Sequence, residues 1–473
     1  MLPKLETLKM TSLFSLATIA AQNSQHAPIS QIYTGHQQDS TTTSSKTSTT
    51  NTETSFEPAP KLSSTAPPQA WKDIYSHRKS GTSSYLKDPK FYLQGPRGPS
   101  ILNANDADHS RTRRLLSHAF SEKALRDQEA LIQSYVDMLI NRLQGEIASS
   151  RKVVDMSQWY NFTTFDIIGD LAFGEPFDCL KNSQYHPWVK MLFSSMKVLA
   201  LRRPLAIYPF LAPIVSGLMP KRLVKMREEH FALTAEKVHR RLETKTDRPD
   251  FMAYILRVDD DRSLTAREME ANAAILIMAG SETTASLLSG FTFYALTNAG
   301  VWKKLVEEVR GAFGSYDEID FKEVSQLGYL NAALEESLRV YPPVPATIPR
   351  IVPEGGAVID GEFVPQGVTM SPFTRDGASL FTDADSFIPE RWLENRDKRF
   401  ESDCRTALQA FSLGPRNCLG RNLAYAEMRL IAAKMLWSFD MTLDESSASW
   451  NIQKAYNIWE RKPLMVKLSL VLH

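Results

Sequence analysis

Cysteine is scarce in this chain. Cys179, Cys404 and Cys418 are the three present among 473 residues, too few for a disulfide framework, which points to a reducing compartment. The nine histidines include no H-E-x-x-H pair and no Cys/His cluster at zinc spacing, so a zinc hydrolase has no ligand set. A G-x-S-x-G elbow and a G-x-x-x-x-G-K-S/T phosphate loop are missing as well, which removes serine hydrolases and P-loop nucleotide hydrolases. Charge of one sign is also lacking. Lys and Arg total 55 against 54 Asp and Glu, a net charge of +1, so no cationic excess exists to neutralise phosphates and no nucleic-acid partner is expected. Nor is there a clear membrane anchor. The N-terminal apolar stretch from Leu13 to Ala21 is broken by Ser15 and Thr18 and falls far short of the ~20 residues that cross a bilayer.

What is present is ordinary in bulk. A hydrophobic share of 43% with 23% charged residues describes a globular chain, and the length alone suggests two or three domains. Residues 1–60 stand apart, because Asp39 to Ser55 is nearly all Ser and Thr and cannot bury enough apolar surface to order itself. The expectation is a disordered tail over 1–60 and a packed domain over 61–473. Apolar residues recur at helical spacing from Leu125 to Leu143 and from Phe162 to Ala172, as in buried helices. The sequon Asn161-Phe162-Thr163 falls inside such a run and is expected to be unglycosylated. Residues 187–220 form an apolar, proline-punctuated region. Ahead of these, Asp106 or Asp108 is placed to cap a helix on which His109 and Arg113, four apart, share a face.

The longest helix opens at the capping box Thr265-Ala266-Arg267-Glu268 and runs to about Asn298. At 1.5 Å per residue it is a rod of about 50 Å, long enough to cross a domain. Its middle, Ala279-Gly280-Ser281-Glu282-Thr283-Thr284, breaks the rules for a core helix. Glycine there costs about 1 kcal/mol against alanine, and the acid and threonines add polar cost. Broken local rules in a core element point to a functional site. Ala279 and Thr283 share a face, and Gly280 leaves room for something flat to approach.

Four further stretches follow. The helix from Asn331 to Val340 carries Glu336 and Arg339 on one face and stops at Tyr341-Pro342-Pro343. Residues from Ile348 to Thr369 alternate and hold Gly355-Gly356, Asp360-Gly361 and Gln366-Gly367, so they read as short strands and hairpins. Arg350 sits at the start of that ribbon, and Phe387-Ile388-Pro389-Glu390-Arg391-Trp392 comes after it. Last is the loop from Phe411 to Gly420, F-x-x-G-x-R-x-C-x-G, just before an apolar-periodic helix from Asn422 to Phe439. A helix N-terminus favours a thiolate at Cys418, Gly414 and Gly420 permit the turn and the close approach of a flat ligand, and Arg416 can pair with a carboxylate. A buried structural cysteine is the competing reading of Cys418.

Taken in this order, the distal-helix segment, E-x-x-R, P-E-R-W and the cysteine loop resemble the cytochrome P-450 family of haem-thiolate monooxygenases. The resemblance covers roughly residues 67–473 and is similar in texture to fungal, microsomal-type members that hydroxylate secondary metabolites such as trichothecene-type terpenoids. It implies a mainly α fold with a smaller β-region enclosing one haem b. Cys418 would be the axial ligand of the iron, with Phe411, Ala279 and Gly280 beside the porphyrin. Arg113, Arg350 and Arg416 would hold the propionates. His109 stands where the family has a tryptophan, and its imidazole can still donate a hydrogen bond to a carboxylate. Glu282 and Thr283 match the acid and alcohol that relay protons during dioxygen activation. Glu336, Arg339 and Arg391 match a structural triad.

The implied reaction inserts one oxygen atom of O2 into an apolar small molecule, with electrons from a separate NADPH-cytochrome reductase. The implied location is the cytosolic side of the endoplasmic reticulum, at a membrane surface. Two alternatives stay open on the sequence: a haem-thiolate isomerase or dehydratase, and a non-catalytic paralogue degenerate at its N-terminus.

Overall fold

The computed structural model describes residues 68–472, apart from 79–81, 93–97, 187–188, 190–220, 245, 247, 257–262, 347, 372–379 and 456. The expected tail over 1–60 and most of the apolar region 187–220 lie outside the described residues.

Helices dominate. In chain order they are α1 (Pro68–Tyr75), α2 (Asp106–Ser117), α3 (Glu122–Ala148), α4 (Met156–Phe173), α5 (Cys179–Asn182), α6 (Lys221–Glu243), α7 (Phe251–Leu256), α8 (Ala266–Thr297), α9 (Ala299–Ala312), α10 (Phe321–Val324), α11 (Gly328–Val340) and α12 (Arg421–Ser438). Strands β1 (Leu86–Lys87), β2 (Val153–Asp155), β3 (Arg350–Ile351), β4 (Ala357–Ile359), β5 (Glu362–Val364), β6 (Thr369–Met370), β7 (Phe439–Leu443) and β8 (Met465–Leu470) build three small antiparallel sheets. Their orders are β1-β3-β6, β2-β8-β7 and the hairpin β4-β5. The mainly α fold with a smaller β-region is the one expected.

Helix α8 is the axle. Its capping box forms as the sequence predicts: Glu268 N–H donates to Thr265 Oγ1 at 3.3 Å and Thr265 N–H to Glu268 Oε2 at 2.9 Å. It packs most extensively on α4 and also touches α6, α9, α11, α12 and β7. Two core elements facing each other must satisfy their polar groups internally. Thr164 Oγ1 accordingly donates to the Ser281 carbonyl at 2.9 Å, and Tyr160 and Thr292 share a hydrogen bond of 2.8 Å. Composition alone would let α8 cross a bilayer, but two thirds of that stretch is buried by protein, as in a core helix. Helix α4 is buried nearly all round, and Asn161 of the sequon lies inside it with no exposed surface.

One cap differs from the expectation. The N-cap of α2 is Asn105, whose side chain accepts from Asp108 N–H at 2.8 Å. Asp106 and Asp108 fall in the first turn instead, where their charge favours the helix dipole.

A smaller core joins α1 to the β-region through Trp71, Ile74, Tyr75, Val352, Ile359 and Val364. Between the two cores, α11 is tied to the P-E-R-W turn by one buried carboxylate. Glu336 Oε1 accepts from Arg339 Nη2 at 2.8 Å, Ile388 N–H at 2.8 Å and Arg391 Nε at 3.1 Å. Its Oε2 accepts from Arg339 Nε at 2.9 Å and Trp392 Nε1 at 2.8 Å. Arg391 also binds the Thr382 carbonyl at 2.9 Å and pairs with Asp403, and the side chains of Glu336, Arg391 and Asp403 are all 0% exposed. Removing one partner from such a network leaves buried charge uncompensated, at about 3–5 kcal/mol. Arg391→Ala removes the cation shared by Glu336 and Asp403, the one ion-pair partner of Asp403 among the described residues, and is expected to destabilise by that amount in denaturant titration. Arg339→Ala should cost less, since Arg391 remains as the cation of both Glu336 and Asp403; equal losses in the two variants would contradict this ranking.

Candidate functional site

The cysteine loop is shaped before any ligand arrives. Cys418 N–H donates to the Phe411 carbonyl at 2.8 Å and Asn417 N–H to the Gly414 carbonyl at 3.1 Å. Gly414 has φ +69°, and a Cβ there would lie 1.9 Å from the Tyr75 carbonyl oxygen. No other residue fits. The close approach at Gly414 is therefore by the end of α1. At Gly420 an added Cβ would meet only Phe120 at 3.7 Å, an ordinary contact. The Phe411 ring packs against Tyr425 with centroids 5.2 Å apart, under the Arg421 guanidinium at 5.7 Å.

Protein surrounds Cys418 closely enough that burial pushes its thiol pKa up. The Gly420 N–H, Arg113 and Arg421 pull it down but do not win. The residue is nonetheless exposed to solvent-sized contact. A thiol in this setting needs a cation to become a thiolate, and a metal ion supplies one.

Helix α8 has an open stripe of the same kind. Ala279 is exposed and Gly280 and Thr283 are half-buried, while Ser281, Glu282 and Thr284 around them are buried. Thr283 Oγ1 donates to the Ala279 carbonyl at 2.6 Å. Glu282, one residue away and so about 100° round the helix, is turned into the protein. There it pairs with Arg461 and accepts from Asn161 Nδ2 at 3.3 Å. Burial raises its pKa, with Arg461 and Asn161 opposing. The structure thus separates the expected acid and alcohol onto different faces. It also fills the clearance expected at Gly280, where an added Cβ would meet Ile168 Cδ1 of α4 at 2.7 Å. The glycine brings two core helices together.

The expected carboxylate-binding residues gather near the loop. Arg113 donates through Nη1 to the Asn417 carbonyl at 2.7 Å and through Nη2 to the Asn417 side chain, tying α2 to the residue before Cys418. Arg416 Nη2 reaches the Ala104 carbonyl at 2.9 Å and Asp106 at 2.7 Å, while its buried Nη1 has no hydrogen-bond partner. Arg350 is buried and bonds Tyr92 Oη at 3.0 Å and the Pro349 carbonyl at 3.1 Å. His109 is buried too; burial, and then the charges of Arg416, Lys87 and Arg113, drive its pKa to about 3, so it is neutral. An accessible sulfur, an open stripe on α8 and a buried guanidinium nitrogen without a partner fit an iron porphyrin: one soft ligand, one flat face and anionic edge groups.

Sequence reasoning missed Asn161, Asn417, Arg461 and Glu427. Asn417 sits at a variable position of the loop, and Arg461 belongs to no motif. Glu427, on α12, is fully buried and hydrogen-bonds Thr284, and desolvation lifts its pKa from 4.5 to about 8. Its folded value is raised, so between pH 4.5 and 8 the native state keeps a proton that the unfolded chain releases, and stability falls as pH rises. Glu427→Gln removes that slope. The variant is expected to be more stable than the parent at pH 8 by on the order of 1–3 kcal/mol, with the gap closing near pH 5. A pH-independent difference in denaturation midpoints would refute it.

Comparison with known proteins agrees with this geometry. The cytochrome P-450 family model matches residues 63–468. A cytochrome P-450 monooxygenase of Aspergillus oryzae, astJ, is 50% identical over 406 residues, covering 85% of this chain and 81% of the relative. A second, astA of Talaromyces wortmannii, is 49% identical over 407 residues, with coverage of 85% and 81%. The trichothecene C-15 hydroxylase of Fusarium sporotrichioides is 41% identical over 416 residues, with coverage of 86% and 84%. These names are of monooxygenases and a hydroxylase, and the isomerase and degenerate-paralogue alternatives are not favoured. The chain belongs to the cytochrome P-450 family of haem-thiolate monooxygenases.

Proposed function

We propose that this chain binds one haem b through Cys418 and hydroxylates or epoxidises an apolar small molecule in fungal secondary metabolism. The observation that carries the reading is the accessible Cys418 sulfur in a loop preset by Gly414 and the Phe411 carbonyl. When bound, the group supplies dioxygen activation, and a thiolate ligand pushes electron density toward its iron, as is general for haem-thiolate enzymes.

The chain's own residues position and protonate. Arg416, Arg350 and His109 hold the carboxylate edge, with the free Arg416 Nη1 as its first donor. Arg113 spends its hydrogen bonds on Asn417 and so orients the cysteine loop. Thr283 Oγ1 holds a proton on the open face of α8, fixed by its bond to the Ala279 carbonyl. Glu282 is kept ready behind that face by Arg461, which neutralises it when it is ionised. Proton passage from Glu282 to the Thr283 side of the helix requires its carboxylate to leave Arg461 and turn. Electrons come from a redox partner, which we assign as an NADPH-cytochrome reductase at the cytosolic face of the endoplasmic reticulum. The substrate class follows the trichothecene named for one relative, and terpenoids of that kind are the first compounds to screen.

The test uses the haem-loaded chain with reductase, NADPH and labelled dioxygen on a compound that perturbs its spectrum. One labelled oxygen atom per product is expected. Thr283→Ala should lower product formed per NADPH by about tenfold or more while hydrogen peroxide rises, and Thr283→Ser should largely restore coupling. Equal coupling in Thr283→Ala and the parent would sink the proton role.

A further inference from the structure

The seam between α4 and α8 is closed unevenly. At Gly280 it is plugged by Ile168 of α4, whose Cδ1 would lie 2.7 Å from an added Cβ. Four residues further along α4, on the same face, stands Ala172, with no side chain beyond Cβ to repeat the plug. A cavity lies there. Its walls include Leu116 of α2, Ala172, Met252 and Ile255 of α7, and Ala273 and Leu276 of α8. All of these are buried except Leu276, which is half-buried. The cavity leaves the centre of a water-sized sphere about 10 Å³ to move in, which is room for one small molecule.

Chemistry decides the occupant. Asn272 is the one polar residue of the lining, and its amide is engaged elsewhere. Its Oδ1 accepts from Ile101 N–H at 2.8 Å, and its Nδ2 donates to the Glu268 carbonyl at 2.7 Å. A water held there would find fewer than the about two to four hydrogen-bond partners it needs, and an unmade hydrogen bond is costly. An apolar gas gives up nothing on entry, since it makes no hydrogen bonds in water either. Position supplies the second half of the argument. Leu276 precedes Ala279 and Gly280 by one turn and Thr283 by two, so it shares their stripe of α8. One side chain thus walls the cavity and borders the open face of the helix.

We propose that this cavity is a holding site for dioxygen, which enters it as an apolar diatomic gas and leaves for the Thr283 face of α8 when the Leu276 side chain rotates. No sequence motif includes its walls; the small side chains of Ala172 and Ala273 on facing helices make the space. The inference rests on the oxygen-using reading above.

The experiment has two arms. In the first, crystals of the parent chain, Ala172→Val, Ala273→Val and Ile255→Val are pressurised with krypton, whose anomalous scattering tells it from water. A krypton peak is expected in the parent cavity. It should be lost in Ala172→Val and Ala273→Val, whose added methyl groups take the space, and should grow in Ile255→Val, which removes one. A water in the parent cavity, or no peak, would overturn the site, and this arm needs no haem. The second arm uses the reduced, haem-loaded proteins and laser photolysis of bound carbon monoxide, another apolar diatomic gas. The parent should show a phase in which gas held inside the protein rebinds, and Ala172→Val and Ala273→Val should lose it. The same phase persisting in variants that have lost the krypton peak would overturn the cavity as a store of gas. A parent chain that takes up no haem would overturn the haem-binding reading, while the krypton arm still decides the cavity.

Discussion

A single carboxylate without solvent contact holds the frame. Glu336 receives five hydrogen bonds from Arg339, Ile388, Arg391 and Trp392, and through Arg391 its influence extends to Asp403. Burying one ionised carboxylate without partners is prohibitive. With every lone pair occupied it becomes an orienting device, since few other arrangements of α11 and the P-E-R-W turn satisfy it. The segment that follows Arg391 leads into the cysteine loop. Its geometry is passed on by the Arg391–Asp403 pair and then by the Gly414 contact with α1.

That frame leaves Cys418 and one stretch of α8 exposed in an otherwise densely packed chain. Cys418 is accessible where its surroundings raise its pKa. Ala279 is exposed in the middle of a core helix, between half-buried Met278 and Gly280. Both are unfavourable for the protein alone. On the proposed reading a bound iron porphyrin would reverse the sign of each: the metal cation would stabilise the thiolate, and the flat ring would cover the apolar stripe.

Much of this was legible in the sequence because helix periodicity and short motifs are local. The capping box at Thr265, the proline stop after Val340 and the glycine-bracketed cysteine each depend on residues a few positions apart. What was not legible depends on distant partners. Glu282 and Thr283 read as one functional pair, yet adjacent residues on a helix point about 100° apart, and the fate of Glu282 is set by Arg461, which lies 179 residues away. Gly280 read as clearance for a ligand, whereas Ile168 of α4 occupies that clearance. Asn105 rather than an aspartate caps α2, a choice that turns on backbone angles at the helix entry and not on composition.

The central claim is that Cys418 supplies the axial thiolate. The direct measurement is the carbon monoxide difference spectrum of the reduced, haem-loaded protein, taken for the parent chain and for Cys418→His. The account predicts the strongly red-shifted Soret band of thiolate ligation in the parent and its loss in Cys418→His. A parent chain that takes up no haem, or a Cys418→His protein that keeps the thiolate-type band, would contradict it.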